Sequence, residues 1–130
     1  MTRKYLEDAG VDIDTSIEPL LSEHDDRYPQ WVEENDTYGF SSPELWNLDR
    51  TMLYHLYERL CMWQERGFSG EERVVIDGCD ATIEVWVNQI LSWCKKIFDN
   101  DSDSFDSEES SLISQRVWEL WSKISPVMWV

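Results

Sequence analysis

The sequence predicts an all-α protein: a small antiparallel three-helix bundle over residues 39–130, preceded by a partly ordered acidic N-terminal arm over residues 1–38. Three observations predict this. Apolar residues recur three and four apart in three separate segments, which places them on one face of a helix. Each segment opens on a Ser or Asp followed three residues later by Glu, the pattern of a capping box. The connections between segments are short, which favours antiparallel neighbours.

The arm is polar and acidic, and Pro19 and Pro29 interrupt any long periodicity. Its segment TRKYLEDAG suits a short helix ending near Gly10, and DRYPQWVEEN suits a turn or two beginning near Pro29. Leu20, Leu21 and Trp31 are the side chains through which the arm would dock. The first bundle helix opens at GFSSPELWNLDRTM, where Ser41 and Glu44 make the capping box and Phe40 and Leu45 occupy the positions of a hydrophobic staple. From there Leu45, Leu48, Met52, Leu56, Leu60 and Trp63 form the expected core stripe of a helix ending near Gly67.

The next segment, SGEERVVIDGCDATIEVWVNQILSWCKKIF, admits two readings. RVVID could form a short strand, followed at Asp80 by a helix. Against this, Ile76, Cys79, Ile83, Trp86, Ile90, Trp93 and Ile97 alternate three and four apart without a break, and Ser69 with Glu72 makes a second capping box. The expectation is therefore one long helix over about residues 70–98. Gly78 inside it would cost on the order of 1 kcal/mol relative to Ala. Lys95 and Lys96 would complement the dipole at its end.

In the third helix Asp106 and Glu109 cap the start, and Ile113, Val117, Leu120 and Ile124 mark the inner face. It stops before Pro126. Glu119 and Lys123 form an i,i+4 pair on its outer side. Trp118 and Trp121 flank the stripe, and burial is the expectation for them because a small core needs large side chains.

The run GFSSPELWNLDRTMLYHLYERLCMWQE, with the Ile76-Asp77 segment and the terminal KISPVMWV, resembles a group of small proteins of bacteria, phages and mobile elements. That group carries a pattern like G-F-[SD]-x-x-E-x-W-[NS]-L-D-x-[TS], then L-Y-E-[RH]-L-x-M, and a Pro…Met-Trp ending. The matching positions are Gly39, Phe40, Ser41, Glu44, Trp46, Asn47, Leu48, Asp49 and Thr51, then Leu56 to Leu60 and Met62, and last Pro126, Met128 and Trp129. The resemblance covers about residues 38–130. It implies a helical fold and a phage or prophage setting, and brings no activity, cofactor or catalytic residue with it.

Composition narrows the function. A chain of 130 residues that is 42% hydrophobic is long enough for one core. Twenty-seven acidic residues against eleven basic ones give a net charge of -16. Such a surface repels nucleic acid and anionic lipid and attracts basic protein surfaces. No apolar run approaches the roughly 20 residues of a membrane span, and MTRKYLEDAGVD lacks the apolar segment of a secretory signal, so the host-cell cytoplasm is the expected location. Cys61, Cys79 and Cys94 each sit in an apolar helical pattern, and buried free thiols are expected rather than a disulfide framework.

Metal, cofactor and catalytic readings are weak. In the acidic stretch FDNDSDSFDSEESS, Asp99, Asp101 and Asp103 fit three calcium-loop positions, but Ser104 stands where the loop requires Gly and Ser110 where it requires a bidentate Glu. His55 and Cys61 are six apart, on different helix faces, and no zinc-ligand spacing exists. His24 sits beside Asp25 and Asp26, where a solvated imidazole is the expectation. No nucleophile elbow or phosphate-cradling loop is present. Carboxylate pairs such as Asp77 and Asp80 arise by chance among so many acids, so no enzyme and no cofactor are expected.

The partner-binding candidates are Asp99, Asp101, Asp103, Asp106, Glu108 and Glu109 of the acidic stretch, Glu33, Glu34 and Asp36 of the arm, and Trp129 as an aromatic anchor. They point to an acidic inhibitor of the DNA-mimic type, encoded by a phage or mobile element. Its partner would be a basic nucleic-acid-binding surface of a host protein, such as a CRISPR effector or another immune nuclease. The alternative is a small structural or adaptor protein that self-associates through its apolar C-terminal helix, with acidity serving solubility.

Overall fold

The computed structural model describes residues 3–67, 71–99 and 107–128. The described residues are mostly helical, with five α-helices and a small two-stranded sheet. Contacts divide the chain into two compact units, Met1–Leu56 and Tyr57–Val130.

In the first unit, α1 (Lys4–Asp8) buries Leu6 completely. Arg3 ties the start of the chain to residues further on, donating from Nη1 to the Ile17 carbonyl at 3.1 Å and to Glu18 at 3.3 Å. A 3-10 turn at Pro19–Leu21 leads to α2 (Tyr28–Tyr38), with Pro29 in its first turn, where the missing N–H costs nothing. α2 is longer than the expected turn or two. It ends at Gly39, whose φ of 85° closes a left-handed cap with its N–H on the Asn35 carbonyl at 2.9 Å. Of the three expected docking residues, Trp31 is buried, while Leu21 is 54% exposed.

The Ser41–Glu44 capping box forms, with the Ser41 N–H donating to Glu44 at 2.8 Å. It caps a single 3-10 turn, Ser42–Leu45, rather than a long helix, and α3 (Leu48–Glu65) starts later. The buried face is displaced accordingly. Leu45, Leu48 and Met52, expected as core, are exposed, while Leu56 and Leu60 are buried as expected and Thr51, Leu53 and Tyr54 are buried beside them. Phe40 and Leu45, the expected staple, are both about half exposed.

The second unit corrects the long middle helix. Arg73–Ile76 (β1) and Cys79–Thr82 (β2) pair antiparallel with Ile76 opposite Cys79 and Arg73 opposite Thr82. The two-residue connection is Asp77-Gly78, with φ of 54° and 78°. Positive φ at both central residues is what the favoured hairpin turn requires, and Asp-Gly is a leading sequence for it. α4 (Ile83–Asp99) begins directly after β2 and buries Ile83, Trp86, Val87, Ile90, Cys94, Ile97 and Phe98. The lower part of the expected stripe is thus helical. Its upper part is sheet, which leaves Cys79 exposed rather than buried.

The third stripe folds as expected. α5 (Ser107–Ile124) buries Ile113, Val117, Leu120 and Ile124, and a 3-10 turn at Ser125–Val127 ends it at Pro126. α5 packs against α4 and β1. Tyr57 meets Phe98 edge to face at 5.2 Å, and the Gln64 amide donates to Asn88 on α4. Of the capping boxes, Ser69 and Asp106 lie outside the described residues.

Candidate interaction surface

The acidic stretch is only partly described. Asp99 is the exposed last residue of α4, Glu108 lies in the first turn of α5, and Glu109 is exposed two residues into that helix. Asp101, Asp103, Asp106 and Trp129 lie outside the described residues. The stretch holds no base of its own, but α4 supplies one: Lys96 Nζ stands 3.9 Å from Glu109, and also over the Trp93 ring at 5.5 Å. This pair is exposed on both sides and worth little in water.

The three arm acids separate into two roles. Glu33 and Asp36 are exposed and, at i and i+3 on α2, share one side of a helix that carries no Lys or Arg. Glu34 faces the other way in function. It accepts the Ser42 N–H at 3.1 Å and the Ser42 hydroxyl at 2.8 Å, and these bonds hold its carboxyl below the usual range. Glu34 therefore fastens the loop after α2. The Ser41 hydroxyl adds a second tie, donating to the Trp31 carbonyl at 2.7 Å.

Six large apolar side chains of residues 38–52 are exposed, and of these Leu45, Leu48 and Met52 had been expected in the core. Tyr38, Phe40, Leu45, Trp46, Leu48 and Met52 are between 42% and 68% exposed. The Tyr38 and Phe40 rings are 6.2 Å apart. Trp46 meets the buried Trp31 edge to face at 6.0 Å, and the Arg27 guanidinium lies over both indoles, at 5.1 Å from Trp31 and 5.3 Å from Trp46. Arg27 is itself held by Asp25 through two bonds of 3.0 Å. Those bonds pull the Asp25 pKa down to about 2 and raise that of Arg27. His24, Asp25, Asp26 and Arg27 line an open, shallow depression.

Among the described residues no three His, Cys, Asp or Glu side chains gather to hold a metal ion, and no helix is long and apolar enough to cross a membrane. Compared with protein-family models, curated proteins and solved structures, the chain shows no match.

Proposed function

We propose that the protein acts by binding: an acidic inhibitor that covers the basic, nucleic-acid-binding surface of another protein. The observation that carries this is the projection of Glu33 and Asp36 from a helix without a single base, in a chain of net charge -16. In the second unit, Asp99 and Glu109 are exposed as well. Basic nucleic-acid sites are shaped to meet dense negative charge, about one charge per 1.7 Å of duplex axis, and a carboxylate-rich helix meets the same requirement. A phage or mobile-element setting, with a host immune effector as the target, is part of the same proposal. In this reading the second half of α3, α4 and α5 make the three-helix scaffold of the Tyr57–Val130 unit.

Capture of host proteins at low and moderate salt, with DNA added as competitor, tests the proposal. A basic nucleic-acid-binding protein should be retained, released by DNA, and lost steeply as salt rises. Two neutralised variants extend the test, one with Asp101→Asn, Asp103→Asn, Asp106→Asn and Glu109→Gln, the other with Glu33→Gln and Asp36→Asn. If both bind that target as the parent does, the acidic surface is not the binding surface.

A further inference from the structure

The exposed apolar residues of the first unit stand in an unusual electrostatic setting. From Tyr28 to Met52 the chain carries five carboxylates, Glu33, Glu34, Asp36, Glu44 and Asp49, against a single base, Arg50. Within that stretch lie Tyr38, Phe40, Leu45, Trp46, Leu48 and Met52. Aromatic residues and Met are the side chains that anchor protein interfaces. Leu48 and Met52 are one turn apart on α3, so they present together.

We infer that this face is a docking site for a basic amphipathic helix of the partner, one with an apolar stripe flanked by Lys and Arg. The inference rests on the acidic-inhibitor reading and gives it a place and an anchor. Charge complementarity selects the occupant. A second copy of this chain would bring another -16 charges against the same acidic rim. A basic helix would instead set its stripe on Phe40, Leu48 and Met52 and its cations beside Asp36 and Asp49. Arg27 over Trp46 shows within the protein that this indole accepts a guanidinium.

The test uses two synthetic peptides of equal composition, about 18 residues or five helical turns long, one arranged as an amphipathic Leu/Lys helix and one scrambled. Calorimetry should show the amphipathic peptide binding about tenfold or more tighter than the scrambled one. Its amide shifts in the unmodified protein should concentrate in residues 36–52. The variant Phe40→Ser, Leu48→Gln, Met52→Gln should lose that preference with an unchanged melting temperature. Equal binding of both peptides, or shifts confined to other residues, overturns the docking site while leaving the charge-based function standing. Failure of both peptides to bind at low salt overturns both. Sedimentation as a dimer that the triple variant disperses would assign the face to self-association and overturn the inference.

Discussion

Arg116 on α5 donates from Nη1 to Asp77 at 2.8 Å, and Asp77 is the one non-glycine residue with positive φ among the described residues. The ion pair therefore reaches the hairpin at its most constrained point. Two further bonds hold the hairpin to the helix that follows it. Trp86 Nε1 donates to the Val74 carbonyl at 3.0 Å, and the Ile83 N–H donates to the Glu72 carbonyl at 2.8 Å. An isolated two-stranded hairpin is marginal in water, so these ties explain why a pair of four-residue strands persists here.

Gly78→Ala should destabilise the protein by about 1–2 kcal/mol, the cost of a left-handed conformation for a residue with a Cβ. Nothing stands within 4 Å of the position a Cβ would take, so the effect is backbone strain and not a clash. Thermal melting of the variant measures it. A rise in stability would restore the continuous helix that the periodicity suggests.

Core and surface positions of α5 should differ sharply. Leu120→Ala removes a fully buried side chain and should cost about 2–5 kcal/mol. Leu112→Ala, at a site 61% exposed, should change stability by less than about 0.5 kcal/mol. Denaturant titration of the two variants separates them, and equal losses would mean that the inner face is misassigned.

α5 was legible in the sequence because it carries a single apolar stripe and a Pro beyond its end. The first half of α3 was not. Residues 45–60 hold two overlapping sets at helical spacing, Leu45-Leu48-Met52-Leu56 and Leu53-Leu56-Leu60, and only packing decides between them. The hairpin was masked because Ile76, Cys79 and Ile83 fit the helical period by coincidence. The stronger signal was local: three β-branched residues in a row, which lose side-chain freedom in a helix, followed by Asp-Gly. In the candidate surface, the role of Glu34 depends on Ser42, eight residues away and brought close only by the turn at Gly39.

The cysteines should react in order of exposure. Cys79 is exposed on β2, Cys61 half-buried, and Cys94 buried, with its thiol pushed up to about 12 by burial and secondarily by nearby Cys61. A thiol reagent at neutral pH should modify Cys79 in the native protein and Cys94 only on unfolding. The Cys94 shift also carries a sign. A folded pKa above the unfolded value of 9.0 means that the unfolded state releases its proton first. The stability is present in full below pH 9 and is lost as pH rises toward about 12. Cys94→Ala should flatten that alkaline limb relative to the parent, and an unchanged slope would show that Cys94 ionises alike in both states.

Asp25 gives the opposite limb. Its side-chain bonds to Arg27 come first among the causes that lower its pKa from 3.8 to about 2, with the Arg27 backbone N–H second. A depressed carboxylate contributes stability above its unfolded pKa and loses it as pH falls through the folded one. The window is therefore about pH 4 down to about 2. Asp25→Asn should remove this part of the acid limb and release the tie that sets the Arg27 guanidinium over Trp31 and Trp46. Carboxyl NMR titration should place the Asp25 midpoint well below that of an ordinary aspartate. A midpoint near 3.8 would mean that Arg27 is not held in solution, and that Trp46 presents its indole without a guanidinium across it.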